Sequence, residues 1–149
     1  DKNGILSHEA KPFQPSDNQS PMKVCLAKEP FLSDNVFLFH KTTHRDFYDA
    51  ARKDLPDYDD ILLYNEHDEL TEFTIGNLVV EMDGKLFTPP LSCGLLPGTF
   101  RAHLLEAGQV EERIIQVDEL KDCTRIFLVN SVRKWQLVGL MRKEFPIYK

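Results

Sequence analysis

DELTEFTIGNLVVEMDGKLFTPPLSCGLLPGTFR, residues 68–101, packs an acid, a hairpin and a helix start into one run. An apolar strand is expected over 75–82, turning at Asp83-Gly84 and returning over 85–88. The Asp-Gly pair suits the two positive-φ positions of a type I′ turn. Pro89 and Pro90 then end the second strand, because proline has no N–H to give a ladder. The closing Leu96-Pro97-Gly98-Thr99-Phe100-Arg101 predicts a helix that continues to Ala107. Its backbone N–H groups at Gly98, Thr99 and Phe100, with the Thr99 hydroxyl, are candidate phosphate donors, since a helix start has free amides and the positive dipole end. An ordinary capped helix is the alternative, for which glycine and threonine also serve. Glu72 precedes the first strand and reads either as an exposed acid beside a turn or as a functional carboxylate.

Working outward, the 149 residues suit one domain, long enough to bury roughly two-thirds of the surface its unfolded chain exposes. Apolar residues make up 42% and charged residues 28%, which argues for a packed core over most of the length. The net charge of −6 argues against nucleic acid as partner, whose phosphates call for concentrated Lys and Arg. No run approaches the roughly twenty apolar residues that span a bilayer, so no membrane role is expected. Cys25, Cys93 and Cys123 are odd in number and lack CxxC spacing, as expected of reduced thiols in a cytoplasmic protein.

Residues 1–20 are polar and proline-interrupted and read as a tail or linker, leaving 21–149 as the folded part. The start at Asp1 suggests a fragment or a processed end. Strands are expected over 22–28 and 31–39, the second carrying Val36-Phe37-Leu38-Phe39 to His40-Lys41. A helix over 44–55 would place Phe47, Ala50 and Ala51 inward and stop at Pro56. Residues 59–65 (DDILLYN) form a run without strict alternation, as in a strand covered on both faces. Residues 113–117 come next, then a short turn or helix over 118–121 and strands over 125–130 and 135–141. Seven or so strands and two or three short helices make a mixed α/β fold with much antiparallel pairing.

Lys41 is the candidate nucleophilic amine. A lysine in a partly dry pocket loses its charge more readily, and a neutral amine attacks aldehydes; a solvated surface lysine is the plain alternative. His40 and His44 are four apart, but His40 would end a strand and no third ligand lies near, so no metal is expected. Phosphate-loop, nucleophile-elbow and dinucleotide glycine motifs are missing from the sequence.

The residues Glu72, Asn77, Leu78, Thr88-Pro89 and Leu96-x-Gly98-x-x-Arg101, in that order, resemble the signature of the fold-type IV (class IV aminotransferase-like) pyridoxal-phosphate enzymes. These include branched-chain and D-amino-acid aminotransferases and aminodeoxychorismate lyases. Val79 departs from the usual aromatic there and Thr99 from the usual aliphatic. The resemblance spans about residues 34–141 and implies the family's large domain, a D-amino-acid aminotransferase-like pseudo-barrel with antiparallel strands and few helices. It implies pyridoxal 5′-phosphate as cofactor, held covalently by Lys41, with Glu72 against the pyridine nitrogen. By the same resemblance Gly98, Thr99 and Phe100 in one loop, and Asn130 and Ser131 in another, would contact the phosphate. Asn130-Ser131 is similar to aminodeoxychorismate lyases in particular, which release pyruvate from 4-amino-4-deoxychorismate to give 4-aminobenzoate, a folate precursor. Arg133 would meet a substrate carboxylate, or is a solvated charge. A branched-chain or D-amino-acid aminotransferase would use the same residues on an amino-acid-like substrate. Because the family has a smaller N-terminal domain ahead of the lysine, the chain is also expected to be a large domain lacking it. It would then be a homodimer, or associate with that missing domain, or be a non-catalytic fragment.

Overall fold

Strand β1 (Met22–Leu26) lies between two parallel neighbours, β2 (Asp60–Tyr64) and β8 (Lys134–Leu140), and from it a barrel can be traced in both directions. The computed structural model describes residues 4, 10, 20–35, 38, 40–53 and 57–141. On one side β2 pairs antiparallel with β3 (Leu70–Phe73), and β3 meets β4 (Asn77–Met82) through the pair Glu72 and Asn77. On the other side β8 pairs antiparallel with β7 (Arg125–Asn130), which pairs antiparallel with β4. The ring β1-β2-β3-β4-β7-β8 closes as six strands. β4 shares its remaining edge. Its first residue faces β3, and residues 80–82 face β5 (Lys85–Thr88), which carries the two-residue β6 (Glu111–Glu112) outside the ring.

Closure explains why the central strands lack simple alternation. Leu78, Val80 and Met82 of β4 point into the barrel core with Leu62, Leu70, Leu128 and Ile126. Val79 points outward and is buried with Val129, Leu104 and Val110 under α2 (Thr99–Glu106). Likewise Leu62 of β2 faces in, while Ile61 and Leu63 face out beneath α1 (Asp46–Lys53) with Tyr48. Each of these strands is therefore apolar on both faces. Leu128 is fully buried at the centre of the barrel. Leu128→Ala is expected to cost about 2–5 kcal/mol in urea unfolding, the usual range for a leucine cavity; a loss under about 1 kcal/mol would mean the barrel is loosely packed.

The hairpin matches its sequence signal. Asp83 and Gly84 have φ of 51° and 76°, both positive as a type I′ turn requires. α1 has Asp46 and Asp49 in its first turn and Arg52 and Lys53 in its last, which complements the helix dipole. α2 begins as expected after Gly98.

Two expectations need correction. The strand expected over 31–39 is not formed where the residues are described: Phe31 makes a single parallel bridge to Asn65, and Asn35 N–H bonds back to the Leu32 carbonyl in a turn. Val36, Phe37 and Phe39 lie outside the described residues, as do most of 1–20 and the expected stop at Pro56. The helix over 44–55 is narrowed to α1, and its inward face is Phe47, Tyr48 and Ala51, with Ala50 exposed. A two-residue strand, β6, lies at Glu111–Glu112, and a 3-10 turn at Val117–Lys121 matches the short turn or helix expected there. β3 was not foreseen at all, and it carries Glu72. Among the described residues no helix is long and apolar enough to cross a membrane.

Candidate active site

Glu72 is the buried centre of the site. β3 and β4 are joined by the short turn Thr74-Ile75-Gly76, closed by the Phe73 N–H donating to the Gly76 carbonyl at 2.8 Å. The turn is tight enough to need glycine, since a Cβ on Gly76 would lie 2.7 Å from Leu128 Cδ2 and 2.8 Å from the Val129 carbonyl. This turn sets Glu72 opposite Asn77. The Glu72 side chain is only 3% exposed, so the reading of an exposed acid beside a turn does not hold.

Both carboxylate oxygens have a donor. Tyr48 Oη donates to Glu72 Oε1 at 2.6 Å, from the inward face of α1. Asn77 Nδ2 donates to Oε2 at the longer distance of 3.3 Å and to the Leu96 carbonyl at 2.8 Å. Burial pushes the Glu72 carboxyl up to about 8, against the downward pull of the Tyr48 hydroxyl, a Leu96 backbone hydrogen bond and the Arg45 charge. Burial holds the Tyr48 phenol above its ordinary range, with the Glu72 charge adding to the shift, so Tyr48 stays a donor. Arg45 lies over the Tyr48 ring at 4.6 Å and donates to the Thr74 carbonyl at 2.6 Å, pinning the start of α1 to the β3–β4 turn. Behind them Asp60 is fully buried; its Oδ1 accepts from the Thr74 hydroxyl and the Ile61 amide, and burial raises its carboxyl above the usual range.

A second group of donors faces the same space. At the start of α2 the Gly98 N–H is already bonded to the Leu96 carbonyl at 2.8 Å, which corrects its expected role as a free amide. The helix carbonyl pattern begins at Gly98, so the amides of Thr99, Phe100 and Arg101 are the ones without an intrahelical acceptor. Thr99 Oγ1 lies 2.6 Å from Ser131 Oγ in the β7–β8 turn, joining the two loops. The Asn130 side chain is engaged in that turn: its Oδ1 accepts from the amides of Val132 and Arg133, and its Nδ2 donates to the Ile75 carbonyl.

Lys41, Glu72, Gly98, Thr99, Phe100, Asn130 and Ser131 all line one cleft of about 410 Å³, together with His44, Arg45 and Tyr48. That volume suits a small cofactor. Lys41 is exposed at its wall. Arg133 is the exception: it lines a neighbouring concavity of about 750 Å³ with Arg52, Phe127 and Trp135, and only Ile75 is shared between the two. Among the described residues no group of three or more His, Cys, Asp or Glu could hold a metal. Burial pushes the thiols of Cys93 and Cys123 up to about 12 and about 11, so neither is a ready nucleophile.

The cleft suits a flat phosphorylated pyridine. It is lined by the start of α2, two hydroxyls, a buried carboxylate and an amine. Gly98 also leaves room for the Asn77 amide, because a Cβ there would come within 2.1 Å of Asn77 Oδ1. Gly98→Ala is therefore expected to displace Asn77 from both Glu72 and the Leu96 carbonyl, weakening pyridoxal-phosphate binding about tenfold by equilibrium dialysis. Unchanged affinity would mean that the amide is free to move without consequence.

Sequence reading missed Tyr48, Arg45 and the bonding role of Asn77. The three-residue spacing of Arg45 and Tyr48, which puts both on one helix face, was the available signal.

The family described as Amino-transferase class IV matches residues 1–139. A Schizosaccharomyces pombe protein named "Putative aminodeoxychorismate lyase" is 35% identical over 141 residues, covering 89% of this chain and 61% of its own length. A solved structure of a "Putative amino-acid aminotransferase" from Mesorhizobium loti superposes with a TM-score of 0.83 at 39% identity, covering 88% of this chain and 65% of that one. The PLP-bound form of a hypothetical aminotransferase from Mycobacterium tuberculosis shares the fold, with a TM-score of 0.72 at 20% identity over 87% of this chain and 52% of that one. The chain thus spans less than two-thirds of the length of each of these proteins. With its six-stranded barrel, two flanking helices and this extent of match, the chain belongs to the class IV aminotransferase family.

Proposed function

We propose that this chain is the cofactor-binding part of a pyridoxal-phosphate-dependent lyase acting on 4-amino-4-deoxychorismate, releasing pyruvate and leaving 4-aminobenzoate. The observation that carries the reading is that Lys41, Glu72 and the start of α2 line a single cleft. The lyase branch is supported by the 35% identity to the fission-yeast protein.

Lys41 Nζ would hold the cofactor covalently at its aldehyde carbon, Glu72 would face the ring nitrogen, and the Thr99, Phe100 and Arg101 amides with the Thr99 and Ser131 hydroxyls would take the phosphate. When bound, the cofactor supplies an electron sink for charge developing at the substrate Cα. Lys41 Nζ, once released by the incoming substrate amine, would take the Cα proton as general base. Glu72 would keep the ring nitrogen protonated, a role its burial beneath Tyr48 and Asn77 favours by excluding water. Asn130 would act indirectly, by holding the turn that presents Ser131.

A second reading, an amino-acid aminotransferase, is favoured by the 39% identity to the Mesorhizobium loti structure. The two differ in where Lys41 returns the proton. Incubation of the complete protein with 4-amino-4-deoxychorismate separates them: pyruvate and 4-aminobenzoate in equal amounts support the lyase. Consumption of a 2-oxo acid with a new amino acid formed would support the transferase, and neither product would count against both.

The reading includes a homodimer, or association with a further N-terminal portion, since the chain spans 61% of its fission-yeast relative. It also includes a cytoplasmic setting, in keeping with the odd number of cysteines and the lack of CxxC spacing in the sequence.

A further inference from the structure

We propose that Tyr48 is the positioning residue that orients Glu72 toward the cofactor ring, holding one carboxylate oxygen so that the other is offered to the cleft. The inference rests on the cofactor reading above and deepens it.

A carboxylate has about four acceptor positions on its two oxygens. In this site they are filled unequally. Oε1 is taken at 2.6 Å by the Tyr48 hydroxyl, a short bond inside the protein. Oε2 has the Asn77 amide at 3.3 Å, and that amide makes its closer bond, 2.8 Å, to the Leu96 carbonyl; the Leu96 backbone adds a further hydrogen bond to the carboxyl. Of the two oxygens, Oε2 therefore has the weaker side-chain donor. Tyr48 itself cannot turn away. Its ring is buried, packed against Phe47 at 3.8 Å between centroids, and covered on another side by the Arg45 guanidinium at 4.6 Å. Arg45 is in turn anchored to the Thr74 carbonyl on the far side of Glu72 in sequence. The acid is thus gripped from α1, the element that directly follows the Lys41 segment, and the same contact ties the amine-bearing segment to the acid-bearing strand. The groups facing the Glu72 carboxyl are the Tyr48 hydroxyl and Arg45 from α1 and its approach, Asn77 from β4, the Leu96 backbone, and the Asp60 charge from β2.

A tyrosine that merely filled space would serve as well without its hydroxyl. The test compares Tyr48→Phe with the wild-type chain for two probes: pyridoxal phosphate, and its analogue with carbon in place of the ring nitrogen. Binding is read by equilibrium dialysis and by the fraction of Lys41 modified after borohydride. The proposal expects Tyr48→Phe to bind pyridoxal phosphate about tenfold to a hundredfold more weakly, the effect of one hydrogen bond to a charged group. Affinity for the carbon analogue should be unchanged, and in a Glu72→Gln background the tyrosine change should have no further effect. Equal losses for both probes, or no loss for either, would overturn it while sparing the cofactor reading. Failure of the wild-type chain to modify Lys41 at all would overturn both. If Tyr48→Phe does not fold, replacing Tyr48 with a fluorinated tyrosine, a stronger donor of the same shape, is expected to tighten pyridoxal-phosphate binding selectively, and unchanged binding would refute the proposal.

Discussion

Replacing Lys41 with alanine is expected to abolish covalent capture of pyridoxal phosphate. The wild-type chain mixed with the cofactor should develop an absorbance band near about 420 nm that borohydride removes, leaving the label on protein. Lys41→Ala should show neither. The effect is all-or-none because the amine is the atom that forms the bond, and no neighbouring lysine lines the cleft to replace it among the described residues. His44 and Arg45 line the same wall but have no amine to condense with an aldehyde. Non-covalent binding through the α2 amides should survive at reduced affinity, so dialysis would still detect cofactor that borohydride cannot fix. A variant that kept a fixable adduct in this cleft would remove Lys41 from the assignment.

The second large effect concerns stability and pH. The Glu72 carboxyl has a folded value of about 8, raised by burial, against an ordinary carboxyl value of 4.5 in the unfolded chain. Between those limits the folded protein holds a proton that the unfolded chain has released, so stability falls as pH rises from about 4.5 and the loss is complete above about 8. A shift of this size corresponds to a penalty on the order of 5 kcal/mol at the alkaline end. Glu72→Gln, which stays neutral, is expected to be more stable than the wild-type chain at pH 8 and close to it at pH 4.5. Urea midpoints across that range check it, and parallel curves for the two proteins would mean that burial does not strain the acid. Saturating pyridoxal phosphate should flatten the wild-type curve, because a protonated ring nitrogen beside Glu72 would favour the carboxylate. This links the cost of burying the acid to the cofactor: the unliganded fold holds a group that becomes comfortable only with a cation against it.

How much of this could be read from the residues alone depended on the range of each interaction. The β4–β5 hairpin was legible because Asp83-Gly84 specifies its own turn, and β7 because Arg125–Asn130 is a bounded apolar run. β3 was not, since Leu70–Phe73 is four residues long and two of them, Thr71 and Glu72, are polar yet buried. An acid at such a position is ordinarily exposed. Its partner Tyr48 lies 24 residues away on a different element, a pairing that no local pattern encodes. The same limit hid the barrel, whose closure needs Met22 beside Val138. β6 was not legible either, since Glu111–Glu112 is two exposed acids paired only with β5. Of the candidate site residues, those on either side of a turn could be named from their motif. The use of their hydrogen bonds could not: the Gly98 amide and the Asn130 side chain are both engaged within the protein.

The central claim is that one cleft takes the two ends of one cofactor. A crystal structure of the chain grown with pyridoxal phosphate tests it most directly. The account predicts continuous density from Lys41 Nζ to the cofactor, with phosphate at the Thr99 and Phe100 amides and the ring nitrogen within hydrogen-bond distance of Glu72 Oε2. Cofactor bound in the larger concavity beside Arg133 and Trp135, with Glu72 still facing only Tyr48 and Asn77, would contradict it.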